Sequence, residues 1–475
     1  MNEKIVVFGV LTAWYLGRYA MLRLRNQSTR HLLLSFVLTT VPFQIGIPLV
    51  TPTYHTMPGS FTAKLFFSIP MLAILIMLVR EKNTRIFYTS RDERWVTLVL
   101  ILVLISFCNP NNYALWGTGA FAWLFITCIV FIRLVANNLN PVEILEGFYE
   151  SFVLLCVLQA VLAVCFPLLG MVSVTRLFQV GGEEWSTRNG SRPGAVGVFV
   201  HPGNLALFTM MASCFFQACY LTNLKKKVSL ALLLLNTMTI VLTYSRTSYL
   251  TAIVAQVAVY YLYQNADKPL VSWKSVFLGV LPTIVLLYWI IFISPLSSNF
   301  LASNADEMYQ ARLDHWQIGL AIFREAPLLG VGLNTHLEYI VNNVQLIKII
   351  HNEFLTTNPI HDIHIVILAE TGIMGFALWI IFLGYSIHKA KVNIAANNNV
   401  VFSLTHIGII VCFVFYGITD WSPLSHSIFP LFLFLTFLAY KFSFDPRYFP
   451  STTFPPTKVP RVAHVTHAIA SSQPS

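Results

Sequence analysis

The residues most able to do chemistry in this chain are a handful of Arg and His side chains set among apolar runs. Arg246 sits in TYSRTSYL, between two such runs joined by hardly any loop. A guanidinium so close to hydrocarbon is costly unless it pairs or faces water, and its forked donors match phosphate oxygens. An Arg that merely snorkels to the headgroups and ends a helix would occupy the same position. A second group, Arg192, His201 and Asn204, lies in RPGAVGVFVHPGNLALF just before a long apolar run. Two Pro-Gly steps break the chain there. The free N–H groups of the helix start that follows favour anions, although an ordinary polar cap would read alike.

The longest polar stretch runs from Arg312 to Glu370. Residues 306–324 have helical spacing, with Leu313, Trp316, Leu320 and Phe323 on one face. They read as an amphipathic helix at the membrane interface that carries Arg312, Asp314 and His315. The Gly-rich turn PLLGVGLN follows; alone it is a tight turn more readily than a phosphate cradle. At the far end His361, Asp362 and His364 open an apolar helix with Glu370 about two and a half turns on, so that His361 and His364 share a face. Three chemistries compete for them. A metal would need Asp362 or a remote His as third ligand, and the spacing is not HExxH. A polar helix cap is the plain alternative. A general base is the third, because imidazole titrates near neutrality and can take a proton from a hydroxyl. Residue types alone leave the last two open.

The elements that must position these groups are membrane-spanning helices. Of the 475 residues 56% are hydrophobic and 11% charged, against roughly a quarter charged in a soluble domain. Apolar runs near the length that crosses a ~30 Å hydrocarbon core fall at about 5–22, 32–50, 64–79, 95–108, 114–134, 148–172, 203–223, 228–244, 249–264, 275–294, 361–385, 400–418 and 427–442. The fold class is therefore all-α: a polytopic integral membrane protein of about 12–13 transmembrane helices with one large extracytoplasmic loop containing short interfacial helices. No alternating lipid-facing strands suggest a barrel. The run from Ile5 is interrupted by Arg18 and has no small-residue cleavage site, so it reads as a first span rather than a signal peptide. The seven Cys lie in or beside apolar runs, as small buried hydrophobes would. No internal repeat of the transporter type is visible.

The net charge of +10 does not point to nucleic acid, because the basic residues cluster in short loops between spans. Arg23 to Arg30, Arg80 to Arg94, Lys225 to Lys227, Lys268 with Lys274, and Lys389 with Lys391 all fall on one side, which should be cytoplasmic. The opposite side receives 173–202, Ser245–Arg246, 295–360 and the DWSPLSH turn near Trp421. The expected division is N-terminal helices over 1–172, a core over 173–445 with its loop at 295–360, and a disordered cytoplasmic tail over 446–475.

Taken in order, four stretches resemble the O-antigen ligase and O-antigen polymerase superfamily of bacterial membrane glycosyltransferases. They are R-x-G-x-x-G-x-F-x-H-P-x-N from Arg192 to Asn204, then SRTSYL, then Arg312, Trp316 and Phe323 ahead of the Pro327 to Gly332 turn, and finally His361, Asp362, Ile365, Glu370 and Gly372. The likeness covers roughly 190–385. Asp362 stands where the family usually has Asn. His351–Asn352–Glu353 imitates the start of the last motif but leaves its acidic and Gly positions unfilled, which selects His361 and holds His351 in reserve.

The resemblance implies a bacterial inner-membrane enzyme that moves a glycan from an undecaprenyl-diphosphate-linked donor to a hydroxyl on a glycan or lipid A core acceptor, on the extracytoplasmic face and among membrane lipids. No cofactor or metal is implied. His361 would be the catalytic base, Arg246, Arg192 and Arg312 would hold the diphosphate, and Asp362, Glu370, His201 and Asn204 would support them. A small-anion transporter using the same Arg residues is the alternative, but it should hold its charges near the bilayer midplane. A scaffold with no chemistry has no use for the large polar loop.

Overall fold

The computed structural model describes residues 2–43, 94–165, 194–199, 201–265, 305–343, 359–396, 399–425 and 428–441. The expected spans at 64–79 and 275–294, Arg192, His351 and the tail over 446–475 lie outside the described residues. Thirteen α-helices and no strand occur among the described residues: α1 (Asn2–Leu24), α2 (Arg30–Thr40), α3 (Arg94–Cys108), α4 (Leu115–Asn138), α5 (Pro141–Cys165), α6 (Pro202–Leu221), α7 (Lys226–Leu242), α8 (Arg246–Asn265), α9 (Ala305–Glu325), α10 (His336–Asn342), α11 (Ile363–Ala395), α12 (Val400–Gly417) and α13 (Phe429–Lys441). The expected spans that fall on described residues are helical over most of their length there; the one at 361–385 starts at Ile363 and is broken at Gly372. The chain is an all-α polytopic membrane protein, and α4, α5, α6, α11 and α12 are each long and apolar enough to cross a membrane.

The bundle is organised around α6, which packs against α5, α7, α8 and α12. Its apolar window is 89% buried inside the protein, against 39% for α11. A helix apolar all round and covered on every side belongs at the centre, whereas α11 leaves much of its apolar surface for lipid. Small residues allow the close approach: a Cβ at Gly408 of α12 would stand 2.5 Å from Cys214 Sγ of α6. Phe148, Phe152, Phe208, Phe215 and Phe402 fill the space between α5, α6 and α12 with edge-on and tilted ring contacts.

Helix α11 is two helices in sequence. Gly372 is non-helical at φ 61 and ψ −166, a conformation essentially confined to glycine. Trp379 Nε1 donates to His364 Nδ1 at 3.3 Å across fifteen residues. In a straight helix that separation would be about 22 Å, so the chain turns sharply at the break. The part from Ile373 to Ala395 is long enough by itself to cross the hydrocarbon core.

The freed carbonyls at the break are taken up by the Gly-rich turn. Val331 N donates to Ala369 O at 3.0 Å and Gly332 N to Glu370 O at 2.9 Å. Ile373 N in return donates to Pro327 O at 2.9 Å. PLLGVGLN is therefore a wedge seated in a broken helix, and Gly330 and Gly372 are where the two backbones touch. A Cβ at either would lie 2.3 or 2.4 Å from the opposing carbonyl carbon. Asn109 Nδ2 donates to Gly330 O at 2.8 Å, so the turn between α3 and α4 locks the wedge from outside.

Candidate active site

Four separate segments supply the candidate residues. The first is the approach to α6. Ala195 N donates to Leu242 O at 2.9 Å, Val198 N to Gln159 Oε1 at 3.0 Å, and Phe199 is buried against Phe208. Gly194 closes on Thr243, where a Cβ would stand 2.4 Å from the carbonyl oxygen. The glycines of the first motif thus join it physically to the second, which begins two residues later at Ser245. His201 then caps α6, its Nδ1 accepting from Gly203 N at 3.0 Å with Pro202 at the first helical position. Asn204 follows in the first turn and is buried.

The second segment is the turn into α8, where Arg246 is exposed at the helix start. Ser245 Oγ lies 3.3 Å from Tyr416 OH near the end of α12. The third is α9. Ile318 and Ile322 pack it against Ile360, Val366 and Ala369, and Asp314 and His315 are buried on that same side. Trp316 and Leu320, named above as the apolar face, point away from the protein and are exposed. Half-buried Arg312 lies close enough to Arg246 for their charges to repel.

The fourth segment carries His361, and here the sequence reading needs correction. His361 is not on the helix. Asp362 is extended (φ −151, ψ 111) and is the N-cap of α11, its Oδ1 accepting from His364 N at 2.8 Å and Ile365 N at 3.1 Å. His361 precedes the cap and shares no helical face with His364. The two rings do different things. His364 accepts from Trp379 and its Nε2 lies 3.1 Å from Val414 O, which fixes the helix between its neighbours. Asp362 is a cap, and the same bonds would be open to the family's usual Asn.

His361 Nδ1 lies 2.9 Å from Pro359 O. A carbonyl can only accept, so Nδ1 carries the ring proton and, in the neutral ring, Nε2 keeps its lone pair. His315 Nδ1 is 3.1 Å away and the two rings stack, with centroids 4.8 Å apart and planes 10° apart. Burial pushes the His361 pKa below the usual imidazole value; the charge of Asp420 opposes that fall, while His201 and Arg312 add to it. His201 is lowered by burial in the same way, again opposed by Asp420.

Asp420 is the residue sequence reasoning missed, together with Tyr416; in the sequence His315 stands on the interfacial helix without a role. It lies just after α12, in the DWSPLSH turn, and its Oδ1 accepts from Ser422 N at 2.7 Å and Ser422 Oγ at 2.6 Å. Tyr416 OH donates to Oδ2 at 3.3 Å. A Cβ at Gly203 would meet Asp420 Oδ2 at 2.7 Å, Ser422 Oγ at 2.6 Å and His201 Nδ1 at 2.8 Å, so a side chain there would have to displace these three groups. An acid directly after a span was the available signal.

Glu370 does not face this cluster. Its Oε1 accepts from Thr335 N at 3.0 Å and His336 N at 3.3 Å and lies 2.6 Å from His336 Nδ1. It is a buried carboxylate that holds the start of α10 and positions the wedge. Among the described residues, no three His, Cys, Asp or Glu side chains converge as metal ligands. Asp420 acts on His201 and His361, Arg312 acts on His361, and Arg246 is linked to the group through Arg312; Asp362 and Glu370 build the frame; Arg192 lies outside the described residues.

Comparison with known protein families gives a match over residues 231–380 to the family described as O-antigen ligase. It covers about a third of the chain, includes Arg246, Arg312, His361, Glu370 and Gly372, and supports membership of the O-antigen ligase and polymerase superfamily. A comparison with curated proteins found no match.

Proposed function

We propose that this O-antigen ligase-type membrane protein transfers a glycan from an undecaprenyl-diphosphate-linked donor to an acceptor hydroxyl, at an extracytoplasmic site in the bacterial inner membrane. The observation that carries the proposal is that Arg312 lies within electrostatic reach of both Arg246 and His361. Two guanidiniums whose charges repel are relieved by an anion between them. A diphosphate supplies two phosphoryl groups for two forked donors.

In the reaction the acceptor oxygen bonds to the anomeric carbon of the donor glycan as the bond from that carbon to the diphosphate oxygen breaks. His361 Nε2 takes the hydroxyl proton, and the lipid diphosphate leaves with its added negative charge against Arg246 and Arg312. A base whose pKa burial has lowered is unprotonated at neutral pH and ready to act. Asp420 offsets the imidazolium charge that forms on His361. The Arg pair serves as fixed stabilisation of developing anionic charge, which is worth more beside a low-dielectric medium than in water.

Purified full-length protein in liposomes tests this reading. With an undecaprenyl-diphosphate-linked oligosaccharide and an acceptor glycan, transfer and release of lipid diphosphate are expected, both lost in Arg246→Ala. Flux of a small anion that needs Arg246 but no lipid-linked glycan would overturn it in favour of a transporter.

A further inference from the structure

A second cluster of sugar-binding chemistry lies beside this site and has no part in the steps above. Three segments build it. The turn between α3 and α4 supplies Tyr113 and the first turn of α4 supplies Trp116, the end of α9 supplies Glu325, and α10 supplies Glu338 and Tyr339. The rings of Tyr113 and Tyr339 meet edge to face, with centroids 5.1 Å apart and planes at 78°, and Tyr113 is 43% exposed. Trp116 Nε1 donates to Glu338 Oε2 at 3.0 Å, and Tyr339 OH donates to Glu325. Trp116 and Tyr339 therefore each have a carboxylate fixed at the ring edge, and Tyr113 offers the exposed ring beside them.

The cluster is held to the catalytic helix by two independent ties. Glu370 accepts from the first N–H groups of α10. Tyr339 also packs against the apolar group that contains Ile360, the residue before His361. The approach is fixed from the other side by Tyr113 N, which donates to Val331 O at 2.8 Å. Such a built patch is not a loop tip that happens to be aromatic.

We propose that Tyr113, Trp116, Tyr339, Glu325 and Glu338 form a binding subsite for the acceptor glycan. A pyranose has one face of C–H groups that stacks on an aromatic ring and a rim of hydroxyls that donate hydrogen bonds. Aromatic rings edged by carboxylates complement both at once, since an ionised carboxylate is purely an acceptor. The donor diphosphate does not suit this patch, because two carboxylates repel it. Lipid headgroups do not suit it either. Aromatic belts at a membrane surface work with Lys and Arg, and carboxylates are repelled by anionic lipids. The assignment rests on the transferase reading above and names where that enzyme holds its second substrate.

The test is binding, measured apart from turnover. Lipid-free oligosaccharide, released by mild acid from the surface glycan of cells that make the protein, is titrated into full-length protein in nanodiscs. The variants are Tyr113→Ala, at an exposed ring, and Glu338→Gln, whose amide oxygen can still accept from Trp116. Each is expected to weaken binding about tenfold, the worth of one hydrogen bond to a charged group, while the apparent affinity for lipid-linked donor stays as in wild type. Equal binding by wild type and both variants, or no binding by wild type, overturns the subsite. Variants that bind glycan normally but insert poorly or melt early make the patch a membrane anchor and overturn it too. If glycan binding falls as expected but no protein transfers glycan from the lipid-linked donor, the subsite stands and the transferase reading fails.

Discussion

Replacing Gly372 by Ala attacks the joint on which the site is built. At φ 61 and ψ −166 the residue occupies a backbone region that a side chain strains by about 1–3 kcal/mol. The added Cβ would also stand 2.4 Å from both the carbonyl carbon and the oxygen of Leu328, and 2.6 Å from Leu329 N. These are backbone atoms of a wedge held on both sides, so they cannot swing away as a side-chain tip would. Relief requires moving the wedge, which weakens the bonds from Val331 N and Gly332 N at about 1 kcal/mol each. The sum is about 3–5 kcal/mol, which for a chain of this size lowers the melting temperature by about 3–5 °C. Gly384 lies on the same helix with nothing within 4 Å of its would-be Cβ. Gly384→Ala should therefore be neutral or stabilise by up to about 1 kcal/mol. Thermal unfolding of both variants in one detergent, followed by intrinsic fluorescence, makes the comparison. If Gly372→Ala melts within a degree of wild type, or the two variants fall together, the wedge is not what holds the broken helix.

Other consequences are open to direct measurement. Arg312→Lys keeps the charge but loses the fork, so the donor KM should rise about tenfold, and Arg312→Ala should cost about 100-fold or more in kcat/KM; steady-state kinetics with lipid-linked donor separates them. Asp420→Asn removes the charge that raises the His361 pKa, so the acid limb of the pH–rate profile should move to lower pH, with a lower plateau from a weaker base. Movement to higher pH would refute the sign. Glu370→Gln weakens the buried charge-assisted contacts to Thr335, His336 and the His336 ring, and should cost about 1–3 kcal/mol in thermal unfolding.

Most of the helix bundle was legible in the sequence because lipid demands long apolar runs, and those runs are easy to count. In the sequence the candidate base is His361 rather than His351 because Glu370 and Gly372 stand at the motif's spacing behind it. What those two residues do was not legible. Both stand in the sequence only as positions of a motif, yet Glu370 caps a helix and Gly372 breaks one. The fold of 363–371 back toward Trp379 depends on the wedge from 326–332, a contact between segments that no local pattern records. The apolar face of α9 was misleading for a related reason. Trp316 and Leu320 are conspicuous by period, but Ile318 and Ile322 are the side chains that pack on the protein. Asp420 escaped notice because a single acid after a span looks like a cap; only its approach to His201 and His361 gives it a role.

The central claim is that His361 is the base and the Arg pair the diphosphate site. It is tested most directly by single-turnover transfer with purified full-length His361→Ala, followed from acid to alkaline pH beside the wild type. Wild-type transfer should hold at neutral pH and fall as pH drops through a value below the ordinary imidazole value of about 6.5. The variant should still bind lipid-linked donor, transfer at least about 100-fold more slowly, and lose that acid limb. Normal donor consumption by His361→Ala, or an unchanged acid limb, would contradict the account.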